Sequence, residues 1–201
     1  MPLKKTHFEK AAFRDRLCKA ALEIFVEEGL EALTMRRLAK ELGVSAMTPY
    51  NYFENRQDIV QEILARAYGK FATSQREAID QWADPMENLK KLGEAYLRFS
   101  IDHPLQYSAL FIAQKQKPFQ SMERRGEAFL PLFDTVTQLV EAGVLEGDPG
   151  LIAHLLWSGK HGLISLKIAG RLMTEVSPPI EEMLSEMGER ILRSFLKIEQ
   201  N

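Results

Sequence analysis

Gly43 separates two short segments in the run TMRRLAKELGVSAMTPYNYF, Thr34 to Phe53, and no other feature restricts the fold as tightly. In the first segment Met35, Leu38, Ala39 and Leu42 recur at i, i+3, i+4 and i+7, which is one apolar face of a helix. Thr34 stands in front as a candidate N-cap. Gly43 then supplies a turn, Val44 an apolar plug, and Ser45 a cap for a second helix. The layout predicts a helix-turn-helix, whose second helix is shaped to lie in a DNA major groove.

At about 100° per residue, Ala46, Pro49 and Phe53 fall on one side of that second helix and close a small core with Val44. Met47, Thr48 and Asn51 fall outward, flanked by Tyr50 and Tyr52. An outward Asn amide pairs twice with adenine, and Met47 suits a thymine methyl. The hydroxyls of Thr48, Tyr50 and Tyr52 suit phosphate oxygens. Pro49 lacks the first intrahelical N–H, so a tight or distorted first turn is expected. Solvated helix faces usually carry Lys and Glu, so an outward Met and two Tyr argue for a contact surface.

Composition narrows the alternatives. With 201 residues and 45% hydrophobic content, the chain can build a substantial core. Strand signals are almost absent, so an all-α protein is expected. The single cysteine, Cys18, rules out an intramolecular disulfide framework, suits a reducing cytoplasm and reads as a small core residue. There is no signal-peptide stretch and no apolar run long enough for a membrane span. The net charge is only −2, with ten Lys/Arg against nine Asp/Glu in residues 1–60 and sixteen against nineteen thereafter. Local placement therefore decides phosphate contact: Lys4, Lys5, Arg36, Arg37 and Arg56 can gather on one surface, with Glu23, Glu27, Glu28 and Glu31 at the far end of the first helix. No GxSxG, phosphate loop, HExxH or Cys pair is present, and His154 and His161 lack a carboxylate at ligand spacing. The reading is of no enzyme, no metal and no cofactor.

Along the chain, a first helix is expected from about Glu9 to Glu28, ending at Gly29. After the motif, Asn55 caps a long helix to about Trp82, with Asp58 as a short capping-box partner. Asp84-Pro85 opens another helix, ending near His103-Pro104. Pro118 and Pro131 should break or bend the helical run through Glu141. Asp148-Pro149 starts a helix to about Leu172, and Pro178-Pro179 starts the last, to about Ile198. Residues 1–54 are read as the DNA-binding domain and 55–201 as a helical ligand-binding and dimerisation domain.

The segment Leu151–Leu172 is apolar on nearly every face, and the last helix carries a stripe of Ile180, Met183, Leu184, Met187, Ile191 and Phe195. A two-fold dimer sealed by two helices from each chain is expected, with Leu155, Gly159, Gly162, Leu166, Ile180, Leu184, Met187, Ile191 and Phe195 at its contact. Candidate lining for an effector pocket is Tyr96, Phe99, Tyr107, Phe111, Phe129, Phe133, Trp157 and His161, although aromatics at helical spacing also serve as plain core.

The run from Ala21 to Val60 resembles the N-terminal domain of the TetR (tetracycline-repressor-like) family of bacterial transcription regulators. Ala21, Phe25, Gly29, Thr34, Arg36, Leu38, Ala39, Gly43, Val44, Tyr50 and Phe53 stand in the family's order and spacing. Trp157, His161 and Gly162 resemble the motif of the WHG-type regulatory domain of some of these regulators. The resemblance implies a three-helix DNA-binding domain followed by a helical regulatory and dimerisation domain. It implies DNA contact by Arg36, Arg56, Thr48 and Tyr50. The expected function is a ligand-responsive regulator, a repressor rather than an activator, that binds a near-palindromic double-stranded operator as a homodimer and responds to an unidentified small-molecule effector. The alternatives are a transcriptional activator of the same fold, or a helical protein-interaction module without DNA binding. Pro49 departs from the family's usual Leu, and Asn51 and Tyr52 occupy positions where relatives vary.

Overall fold

The computed structural model describes residues 7–111, 122–173 and 175–197. Lys4 and Lys5, Pro118, and the expected helix end at Ile198 lie outside them. Among the described residues the elements are α1 (His7–Glu27), α2 (Met35–Glu41), a 3-10 turn (Pro49–Asn51), α3 (Arg56–Ala78), α4 (Pro85–Asp102), α5 (Pro104–Phe111), α6 (Met122–Glu141), α7 (Pro149–Ile168) and α8 (Ile180–Arg193). The only β pairing among them is an isolated antiparallel bridge between Leu145 and Leu196.

The described helices sort into two compact units. The first is built from residues 1–70 and 103–124, the second from 71–102 and 125–201. The boundary read from sequence after residue 54 falls inside the first unit, and α3 contributes residues to both.

Local chemistry sets most helix ends. The Thr34 hydroxyl accepts from the Arg37 N–H at 3.1 Å, and Asp148 accepts from the Leu151 N–H at 2.7 Å. Asn55 accepts from the Asp58 N–H at 3.0 Å, while the Asp58 carboxylate accepts from Glu54 rather than from Asn55. That exchange is a capping box displaced by one residue. α3 is shorter than expected, about 35 Å at 1.5 Å per residue.

One proline and two helix ends differ from the simplest expectation, each for an identifiable reason. Pro131 does not break α6, which continues through it. The carbonyl four residues back, left without a helical N–H, belongs to exposed Glu127, where water can satisfy it. α7 stops short of Leu172 because Gly170 takes φ +62°; the Arg171 N–H then bonds the Leu166 carbonyl and the Gly170 N–H the Lys167 carbonyl. That double bond pattern closes a helix. α8 ends early as well, because the backbone of Phe195 and Lys197 pairs with Glu146 and Val144.

In the first unit Leu17, Phe25, Leu33, Leu38, Phe53 and Ile59 are buried, and α5 packs on α1. Cys18 is buried there too. Burial pushes its thiol up to about 11, against the lowering field of Arg66, so the thiolate is scarce at neutral pH and oxidation chemistry is disfavoured. The second unit is centred on Leu89, Val136, Leu139, Leu145, Ile152, Ala153 and Leu156, with Phe129, Ile191 and Phe195 packed against them. Among the described residues, no helix is long and apolar enough to cross a membrane.

Candidate nucleic-acid interface

The turn after α2 closes at Gly43, whose φ is +64°. Its N–H bonds the Lys40 carbonyl at 3.2 Å and the Val44 N–H bonds the Ala39 carbonyl at 3.0 Å. This geometry needs a residue that tolerates the left-handed region, which is why glycine stands there.

The segment after it is not an α-helix. Thr48 bonds Ser45, Asn51 bonds Thr48, and Tyr52 bonds Pro49, each N–H reaching three residues back. Pro49 offers no N–H, so the chain winds as tight 3-10 turns. This extends the expected distortion to the whole segment and alters its facing. Pro49 and Phe53 are buried as expected, but Ala46, expected inward, is exposed. Met47 is 67% exposed and Tyr50 49%, and Asn51 is exposed beside them. Thr48 is half-buried, its hydroxyl 3.0 Å from that of Ser45, so Ser45 binds a side chain instead of capping a backbone N–H. Tyr52, expected beside the outward stripe, packs its ring on Phe13 at 5.1 Å.

One anchor escaped sequence reasoning. Arg14 of α1 donates to the Tyr52 carbonyl at 2.9 Å, lies 4.2 Å over the Phe53 ring and pairs with Glu62 at 3.4 Å. It fixes the end of the reading segment from a site 38 residues away. Its only local signal is its place beside the apolar residues Phe13 and Leu17.

The candidate phosphate contacts differ in how free they are. Arg36 and Lys40, one helical turn apart on α2, are exposed. Thr34 uses its hydroxyl in the cap. Arg37 pairs with Glu28 at 2.8 Å and with Glu41, and Arg56 reaches Glu31 and the Leu30 carbonyl at 3.4 Å. Glu28 and Glu31 are therefore not remote from the basic residues, contrary to expectation. Exposed pairs of this kind are weak because water screens them, so a phosphate can compete for either arginine.

In the second unit the aromatic candidates disperse. Phe71 meets Tyr96 at 5.4 Å and Phe99 at 5.0 Å. Phe129 meets His154 at 4.6 Å and Trp157 at 6.1 Å, and Phe133 is half-buried on α6. Trp157 stacks on His161 at 5.8 Å. His161 Nδ1 lies 3.2 Å from the Tyr96 hydroxyl and Nε2 3.3 Å from the Ser165 hydroxyl, and burial lowers its pKa. Tyr107 and Phe111, 4.9 Å apart, belong to the first unit. Of the eight, Tyr96 and Trp157 line a small cavity together with Gln75 and Lys160. Neither polar residue was singled out from sequence, although Lys160 interrupts an apolar helical stretch.

The stripe on α8 is largely used within the chain. Ile180 and Leu184 are buried, Phe195 and Ile191 pack on the core, and Met187 lies so close to Gly159 that a Cβ there would come 2.4 Å from its sulfur. Leu155 and Leu166 of α7 remain exposed, with Leu151 and Ile168. Gly162 has open space before it.

Residues 17–63 match the sequence family described as bacterial regulatory proteins, tetR family. Residues 89–191, just over half of the chain, match the tetracyclin repressor-like C-terminal domain. The chain belongs to the TetR family. Its matched family is one of bacterial regulatory proteins, and its curated relatives are HTH-type transcriptional regulators. This TetR-family protein is similar to the HTH-type transcriptional regulator SAB2452 of Staphylococcus aureus (strain bovine RF122 / ET3-1), 32% identical over 90 residues, 45% of this chain and 49% of that one. It thus spans about half the length of the curated relatives it matches. Among solved structures it is similar to the TetR-family regulator PfmR from Thermus thermophilus, with TM-score 0.70 and 25% identity over 89% of this chain and 98% of that one. The fatty acid degradation regulator FadR from Bacillus halodurans shares the fold, with TM-score 0.73 and 18% identity over 94% and 96% of the two chains.

Proposed function

We propose that this TetR-family regulator is a cytoplasmic repressor that binds a near-palindromic operator as a homodimer and is released by a small-molecule effector. The observation that carries the DNA reading is the exposure of Met47, Tyr50 and Asn51 on the segment after the turn, with Arg36 exposed on the helix before it. Asn51 reads an adenine edge and Met47 a thymine methyl. Arg36 and Tyr50 hold the phosphates, with Arg37, Arg56, Ser45 and Thr48 as further contacts.

Supporting the dimer are the exposed Leu151, Leu155, Leu166 and Ile168 of α7, and an apolar groove of about 510 Å³ lined by Leu163, Pro178, Met183, Met187 and Ile191. A homodimeric regulator of this class needs its two reading segments about 34–36 Å apart to enter successive major grooves. α3 carries the response: it follows directly on the reading segment and runs into the regulatory unit, and a coupling of about 1–3 kcal/mol gives 5–150-fold release.

Selection of bound sequences from a random duplex pool, with sedimentation of the same sample, tests this reading. Two inverted half-sites one helical turn apart and a dimer at micromolar concentration are expected. A stable monomer, or no enriched sequence, refutes it.

A further inference from the structure

We propose that the cavity lined by α3, α4, α6 and α7 binds the carboxylate of a short-chain organic acid between the Lys160 ammonium and the Gln75 amide. This deepens the effector-release reading and rests on it for the site's role.

Size restricts the ligand first. The cavity measures about 30 Å³, room for a water or a carboxylate head, whereas drug-sized ligands occupy roughly 300–1,000 Å³. Its chemistry restricts the ligand further. Gln75 is 4% exposed, and its Nε2 is the one buried side-chain nitrogen or oxygen without a hydrogen-bond partner among the described residues. Buried polar groups are paired as a rule, so this exception asks for an acceptor.

Lys160 supplies the charge. It is largely buried, and burial lowers its pKa to about 8 against the opposing field of Glu94; no ion pair among the described residues compensates it. A buried charge without a partner is unfavourable. Gly93 makes the arrangement possible, because a Cβ at that position would fall 1.8 Å from the Lys160 Nζ.

Both protein groups are donors, so the ligand head must accept twice and carry negative charge, which a carboxylate does. Leu89, Leu92, Leu132 and Leu156 complete the lining, so the head sits among apolar side chains against which a short hydrocarbon tail packs. Gln75 also belongs to α3, so occupancy acts on the helix that begins beside the reading segment.

Calorimetric titration of the full chain without DNA tests the assignment, using butanoate, butanamide and butylamine. Butanoate should bind at least tenfold more tightly than the neutral and cationic probes. Lys160→Met should lose at least tenfold, and Gly93→Ala likewise, by displacing the flexible ammonium without removing it. Gln75→Leu should lose several-fold. Equal binding of butanamide, an unchanged affinity in Lys160→Met, or no uptake of butanoate overturns the assignment; the first of these marks a cavity that holds only water or neutral groups. Operator affinity is then read by fluorescence anisotropy. Release by butanoate from the wild type but not from Lys160→Met supports the regulatory role. Butanoate binding with unchanged operator affinity leaves the carboxylate site standing and refutes the release mechanism.

Discussion

Replacing Gly43 with alanine isolates a single energetic cause. Its φ is +64°, and a Cβ built there meets nothing within 4 Å. Steric contact therefore contributes nothing, and the whole loss comes from holding an L residue in the left-handed region, about 1–2 kcal/mol. Asn tolerates that region better than Ala, while a β-branched Val tolerates it least. The expected order of stability is Gly43 above Gly43→Asn, above Gly43→Ala, above Gly43→Val. For a chain of this size each kcal/mol shifts the melting temperature by roughly 2–4 °C, so the Ala variant should melt roughly 2–8 °C lower. Circular dichroism melts of the four proteins measure the order. An Ala variant melting with the wild type, or an Asn variant melting below Ala, would show that this turn does not depend on backbone handedness.

Gly159→Ala should lose about 1–3 kcal/mol in urea melts because Met187 must move, whereas Gly162→Ala should gain about 0.5–1 kcal/mol in its open helical site; equal effects would contradict the α7–α8 packing. Lys160 gives a pH signature: with its folded pKa lowered from 10.5 to about 8, the unfolded chain holds more protons between those values, so stability rises with pH across that window. The full burden below it is roughly 3 kcal/mol, and urea melts at pH 7 and 10 should show a rise in the wild type that Lys160→Met lacks. Asn51→Ala should weaken specific DNA binding by about 1–3 kcal/mol and relax one operator position; an unaltered selected sequence would remove Asn51 from base reading. Operator affinity should also fall steeply with added salt, since phosphate neutralisation releases counterions; a flat salt response would favour a protein-interaction module.

Features governed by near neighbours in sequence were legible before any coordinates. Thr34, Asn55 and Asp148 cap where their spacing says they should, because a cap involves residues only three apart. Gly43 was legible for the same reason. Facing within the reading segment was only partly so: Pro49 changes the winding from 100° per residue to the tighter 3-10 rotation, which sends Ala46 to the surface while keeping Phe53 inside. Helix ends set by distant partners were not legible. Nothing near Phe195 announces that its carbonyl will accept from Glu146. The same holds for the cavity, since Gln75, Gly93 and Lys160 come from three helices and meet only after packing.

The clamp by Arg14 carries a consequence for how such a regulator changes over time. Because one guanidinium from a separate helix grips the main chain at Tyr52 and the ring of Phe53, the exposed positions 46, 47 and 51 bear little of the architecture. Their side chains can be exchanged without dismantling the scaffold, so duplicated copies could drift towards new target genes by a few surface substitutions each.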